Sequence, residues 1–371
     1  MLKNLIKNLS NLPGWRTNRK IVVIESDDWG SIRMPSNEVR AHLQDQSIPM
    51  GDIERQRYTS FDTLANSTDF EALYETLYKF KDINNRNPVF TAVSVVANPD
   101  FEKIKESNFE HYYYEPFATT LERYQHKNAF NMWKEGVKNN LFIPQFHGRE
   151  HLNVSTWMRQ LRLKDKNTLV AFEQKCWGYA NANKYGIDYQ AAFDLEFASD
   201  LLYQEKVIKD GLELFEQLHG YKADFFVPPN GPFNTTLEKI AGQCGIKYIS
   251  TSKIQNEPQG EGRQKKKIHY LGQKNRNNQL YITRNCFFEP SEESKDWVSN
   301  CINDIETAFK WGKPAVISSH RVNYIGGLVE KNRTNSLKQL TSLLLIILSR
   351  WPNVEFMTSS ELGNLIKDSK D

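Results

Sequence analysis

What most constrains this chain is the stretch Lys20–Gly30, KIVVIESDDWG, an apolar run that stops abruptly at carboxylates. Ile21, Val22, Val23 and Ile24 are apolar at consecutive rather than alternate positions. That is the pattern of a strand covered on both faces, as in a parallel α/β sheet or barrel. Glu25, Asp27 and Asp28 then fall at the C-terminal end of the strand, where the loops of such folds converge on one cleft. Two adjacent aspartates in a shielded pocket repel each other unless a cation or a shared proton offsets the repulsion. The pair therefore asks for a metal. On this stretch alone a polar strand exit followed by a turn at Gly30 reads equally well.

A second stretch, FHGREH (Phe146–His151), again follows an apolar run, Leu141–Ile143. His147 and His151 are four apart, so a helix there would set both imidazoles on one face and let them grip one ion. One carboxylate and two imidazoles leave positions open for water and substrate, as a catalytic rather than a structural centre requires. An HxxxH also arises from two surface histidines, but the chain has only eight histidines, which makes a pair just after a strand harder to dismiss. In FFVPPNGPFN (Phe225–Asn234), Pro228, Pro229, Gly231 and Pro232 stiffen a loop leaving a strand, and a stiff loop can hold a backbone N–H where an oxyanion forms. His320 ends a further apolar run in AVISSHRVNY (Ala315–Tyr324); a purely structural histidine is its alternative reading.

In this order the four stretches resemble the polysaccharide deacetylase family, which shares the NodB homology domain: a strand-end Asp-Asp, an HxxxH, an Arg-x-Pro-Tyr-Gly loop and a late strand-end histidine. The resemblance runs over roughly residues 20–360 and rests on short motifs. It implies a distorted seven- or eight-stranded (β/α) barrel with a divalent metal, zinc before others, on Asp28, His147 and His151. It further implies Asp27 as base, His320 as acid and the backbone N–H of Asn230 at the oxyanion. The reaction would be removal of an N-acetyl, less readily an O-acetyl, group from a saccharide or saccharide precursor. Several positions depart from the pattern and place the chain in an outlying branch. Trp29 is inserted before Gly30, Gly148 replaces the Ser/Thr of the second motif, Ser318 stands where leucine is frequent, and Val227 and Asn230 stand where the family has Arg and Tyr. Arg284, ending the strand-like Leu280–Thr283, is the candidate to take over the missing arginine's hold on the catalytic Asp, although a surface arginine is the commoner case. For the missing acidic fourth motif the nearest residues are Glu289 and Asp296. Glu25 and Glu150 are further candidates for ligand or base. Two other functions stay open: a glycoside hydrolase pairing Asp27 with Glu150 or Glu289, and a saccharide-binding homologue without turnover.

The chain has 371 residues, 39% of them hydrophobic, enough for one large barrel. We expect an N-terminal extension over 1–19 and a single barrel over 20–371, with insertions around 100–117 and 152–220. A net charge of +3 and no basic helix interleaved with aromatics argue against nucleic acid. Cys176, Cys244, Cys286 and Cys301 show no CxxC spacing and read as reduced and buried. The N-terminal residues lack the apolar core of a secretory signal, and Leu343–Leu348 is too short to span a bilayer. Together these suggest a cytoplasmic protein with at most a weak peripheral membrane contact. Helices are expected from a Ser36 cap, from a Ser67 or Thr68 cap to Phe80, over Leu121–Val137, and through a long region ending at Gly220. Residues 100–117, with three consecutive tyrosines at 112–114, read as an insertion packed on the barrel or as a sugar-stacking wall. Residues 260–278 read as a charged loop that is either a solvated connection or an attractor of an anionic substrate.

Overall fold

The computed structural model describes residues 8–181 and 183–369. Within them one curled sheet contains nine strands, every pair parallel: β1 (Lys20–Trp29), β2 (Phe90–Val95), β3 (Phe142–Gly148), β4 (Phe225–Phe226), β5 (Tyr248–Ser250), β6 (Leu280–Ile282), β7 (Cys286–Phe287), β8 (Ala315–His320) and β9 (Val354–Met357). Eight follow the order β6-β5-β4-β3-β2-β1-β8-β7, and the ninth, β9, pairs only with Lys20–Val23 of β1. The sheet is the expected distorted barrel, with one strand more than the motifs suggested. Its two edges, β6 and β7, are consecutive in the chain, separated by Thr283, Arg284 and Asn285. The backbone there bonds to both sides of the seam, with Thr251 N–H donating to Ile282 O on one side and Asn285 N–H to Val316 O on the other.

The consecutive apolar residues of β1 serve two cores. Ile21 and Val23 enter the barrel interior with Val93, Phe225, Ile282 and Val316, closed from below by Leu362 and Ile366. Val22 and Ile24 point outward, under a layer of helices that contributes Phe70, Leu73, Trp133, Ile305 and Leu344. At about 1.5–3 kcal/mol for each fully buried aliphatic side chain, this double burial pins β1 at the centre of the sheet. The covering helices are Ser67–Tyr78, Ala129–Lys138, Asp200–His219, Trp297–Lys310, Glu330–Arg350 and Ser359–Asp368. The apolar run after Ser342 lies in the helix Glu330–Arg350 and is amphipathic, burying Leu343, Leu344 and Ile347 while Leu345 is exposed. No helix among the described residues is long and apolar enough to cross a membrane.

Local chemistry moved several expected boundaries. Ser36 caps Asn37–Asp45 as expected, but the next helix is capped by Asn66, in a reciprocal box with Asp69, rather than by Ser67 or Thr68. The helix expected over Leu121–Val137 is two, Phe117–Arg123 and Ala129–Lys138, separated by Gln125 at φ 63°. The region before Gly220 is two short helices, an irregular stretch, and then the helix Asp200–His219, which Gly220 ends at φ 77°. Residues 254–268 are an antiparallel hairpin rather than a loop, Ile254–Gly260 against Arg263–Ile268. Tyr112 and Tyr114 are packing residues, Tyr112 edge-on to Trp157 and Tyr114 under the Arg149 guanidinium at 4.2 Å. Three cysteines are buried and Cys244 is half-buried. Residues 1–7 of the expected N-terminal extension lie outside the described residues. The part after them is tied down by Lys313, whose ammonium donates to the carbonyls of Pro13, Gly14 and Trp15.

Candidate metal centre

β1 ends in a bulge. Ile24, Glu25 and Ser26 pair in step with Phe90, Thr91 and Ala92, and the register slips before Trp29 meets Ser94. Asp28 takes φ 75° at the slip. In an unbroken strand Asp27 and Asp28 would face opposite sides of the sheet. The bulge brings both into the wall of one cavity of about 830 Å³. Trp29, the residue inserted into the motif, anchors the bulge: its ring is buried against Phe70, Trp133 and Phe142, and its indole N–H donates to Ser26 Oγ at 3.0 Å.

His147 and His151 meet through a turn and not along a helix, which corrects the reading from their spacing. His147 is the penultimate residue of β3, and the following helix starts only at Val154. Gly148, at φ 131°, reverses the chain, and the two rings lie 5.0 Å apart. Both are buried, as is Asp28, and the three can hold one metal ion. His147 Nε2 is 3.3 Å and His151 Nε2 3.0 Å from the same oxygen, Oδ1 of Asp28. His147 Nδ1 sits 2.6 Å from the Val227 carbonyl and must be the donor there. With its proton on Nδ1, a neutral imidazole here would turn its Nε2 lone pair toward a carboxylate oxygen, an arrangement that a cation between them relieves. Burial also lowers the His151 pKa despite the neighbouring Asp28 carboxylate, favouring the neutral imidazole that a metal needs. Burial pushes the Asp28 pKa up, but Arg33, then His151 and His147, outweigh it and hold that carboxyl well below its usual range. The donor set of two imidazoles and one carboxylate fits a divalent transition ion.

Asp27 faces a different partner. Arg284, in the seam between β6 and β7, donates to both Asp27 oxygens at 2.6 Å, to Glu25 Oε2 at 2.6 Å and to Ser318 Oγ at 3.1 Å. Burial opposes ionisation of Asp27, but the guanidinium overrides it and the pKa falls. For Glu25 burial wins and the pKa rises; its oxygens are taken up by Arg284, Ser250 and Ser359, which places it as a support of Arg284 rather than a ligand or base. Across from Asp27, His320 Nε2 is 3.9 Å from Asp27 Oδ2, and its Nδ1 is 2.6 Å from Glu289 Oε1. Burial would lower the His320 pKa, but Glu289 raises it to about 9. Glu289 in turn accepts from Arg57 at 2.9 Å and from Asn323 at 3.0 Å; burial is outweighed by His320 and Arg57, bringing the carboxyl down to about 2.

All seven candidate residues, Asp27, Asp28, His147, His151, Asn230, Arg284 and His320, line this one cavity. Asn230 sits at its lip with φ 56°, in the turn made by Pro228, Pro229 and Gly231. Three of the acids weighed for other roles do not present a free carboxylate. Glu150 is gripped by Arg149 at 2.7 Å through both oxygens, Glu289 is clamped as above, and Asp296 caps the helix Trp297–Lys310. Neither Glu150 nor Glu289 lines the cavity with Asp27, so neither stands across it as the second carboxyl that a glycoside hydrolase pairs. Residues that the sequence did not single out also enter the site. Arg33 places Nη2 3.6 Å from Asp28 and Nη1 3.6 Å from Asp62 while its guanidinium stacks on Tyr58, and Arg57 reaches Glu289 from the helix Ile53–Phe61. That helix precedes the second strand, and only its fold-back over the cavity gives these residues meaning.

Fold and site together define an α/β barrel with a buried Asp-His-His group beside an Arg-bound aspartate. A probable polysaccharide deacetylase from Pseudomonas aeruginosa PAO1 superposes with a TM-score of 0.50 at 10% identity, over 94% of this chain and 91% of that one. A structure from Mycobacterium smegmatis named for the same activity gives 0.48 at 11% identity over 96% and 94%, and PuuE allantoinase gives 0.47 at 10% over 94% and 91%. On the first of these superpositions the chain has the polysaccharide deacetylase fold. No protein-family model and no curated protein matches the sequence.

Proposed function

We propose that the protein hydrolyses an N-acetyl, less readily an O-acetyl, group on a saccharide. Asp28, His147 and His151 would hold a divalent ion, zinc if the family resemblance extends to the metal, which when bound would polarise the acyl carbonyl and bring the pKa of water toward neutrality. Asp27 takes the proton of the attacking water as the new C–O bond forms, and Arg284 keeps that carboxylate ionised and fixes its plane. The Asn230 N–H faces the oxygen on which negative charge collects. His320, held protonated by Glu289, gives its proton to the sugar nitrogen as the C–N bond breaks, leaving acetate and a free amine.

One observation carries this reading: a base and an acid of opposite charge face each other 3.9 Å apart, each locked by its own counter-ion, beside a group able to bind a metal. The test is acetate release from a panel of N- and O-acetylated saccharides by metal-loaded protein, with Asp27→Asn as control. Acetate with no new reducing ends, lost in the variant, supports the proposal. New reducing ends, or saccharide binding without acetate, would overturn it.

A further inference from the structure

The surface changes character next to the cavity. Between Lys253 and Arg276 the chain carries seven basic and two acidic side chains, whereas the whole chain nets only +3, so the remainder is net acidic and the positive charge is concentrated here. The segment contains the hairpin Ile254–Gly260/Arg263–Ile268, which forms a separate two-stranded sheet. Ile254 and Ile268 are cross-strand partners, yet they are 63% and 73% exposed, with Lys266, two residues from Ile268, exposed on the same face and Lys265 exposed on the other. The N-terminal turn lies against the base of this hairpin. Lys253 donates to Ser10 and Asn11, His269 N–H bonds to Lys253 O, and a crevice there is lined by Asn11, Pro13, Lys253 and Tyr270. Leu9, Leu12 and Tyr270 add exposed apolar surface to it. Single exposed aliphatics need no explanation, but five of the fourteen large exposed apolar residues among those described gather on these two segments. Ser10, Asn11 and Lys253 also line the main cavity, so the patch borders the site.

We infer that this face docks on a bilayer containing anionic lipids, with the leucines, isoleucines and tyrosine entering the headgroup boundary and the basic hairpin meeting lipid phosphates. The charge selects this occupant over a second copy of the chain, because two copies meeting here would oppose lysine to lysine. On the hydrolase reading above, on which only this clause rests, the substrate is a saccharide displayed at a lipid surface.

The test is co-sedimentation of the full chain with vesicles of phosphatidylcholine alone or mixed with phosphatidylglycerol, at low and high salt. Binding to the mixed vesicles only, weakened by salt, is the expected result. At about fivefold for each lysine charge removed, Lys266→Gln should lower affinity roughly fivefold, and Ile254→Asp with Ile268→Asp should abolish binding without changing the circular dichroism. Absent binding, equal binding to both vesicle types, or a dimer that Ile254→Asp dissociates overturns the inference. Acetate release from soluble saccharides by the same variants should be unchanged, so failure of docking and failure of the hydrolase reading are separately visible.

Discussion

Asp27 and His320 show how adjacent charges divide labour through their partners. The pKa of about 9 at His320 lies above the ordinary 6.5 and that of about 2 at Glu289 below the ordinary 4.5. The contribution of raised His320 to stability is complete below about pH 6.5 and lost as pH rises through 9; that of depressed Glu289 is complete above about pH 4.5 and lost as pH falls through 2. If His320 is the acid, turnover should fall on the alkaline side with an apparent pKa near 9. Glu289→Gln should shift that limb toward lower pH, readable in kcat against pH; an unmoved limb would assign the proton to another group. Metal binding is a separate readout. Asp28→Asn and His147→Ala should each purify with little metal by elemental analysis and should lose at least about 100-fold in kcat, since metal-site chemistry dominates such reactions. Arg284→Met removes the shared partner of two buried carboxylates and should cost about 3–5 kcal/mol in urea unfolding, because an uncompensated buried charge is left behind. Arg284→Lys, which keeps the charge but not the two-pronged grip, should retain more stability than activity.

At the scale of elements, the decisive devices are the bulge of β1 and the glycine turn after β3. Gly148 at φ 131° has Glu150 O only 3.1 Å from where a Cβ would sit. Gly148→Ala should therefore destabilise the protein by about 1–3 kcal/mol and loosen His151, lowering metal affinity in a competition titration. Much of this centre was legible in the sequence, because apolar runs ending in Asp27-Asp28, His147 and His320 mark strand ends without any coordinates. The geometry of the pairs was not legible. Spacing of four suggested a helix for the two histidines, and only the φ of Gly148, a tertiary outcome, makes a turn. Arg284 could be nominated because a position was vacant, but nothing local separates it from a surface arginine; its grip on Asp27 and Glu25 follows from the two edge strands it joins. Arg33 and Arg57 carried no signal, since buried charge pairing depends on a fold-back that periodicity does not encode. Glu289 was named only as the nearest acid, and its clamp on His320 comes from β7 and β8 lying side by side.

Across the whole molecule, the two edge strands of the sheet are not paired with each other but joined by the chain that runs from one to the other. Thr283, Arg284 and Asn285 make that passage, and the middle residue sends its side chain to the base of the proposed reaction. Shape and the proposed proton chemistry therefore share one three-residue hinge-pin. Lengthening it by a single glycine after Thr283 should spread the two lips of the sheet and withdraw the guanidinium together, so that melting temperature and turnover fall in step.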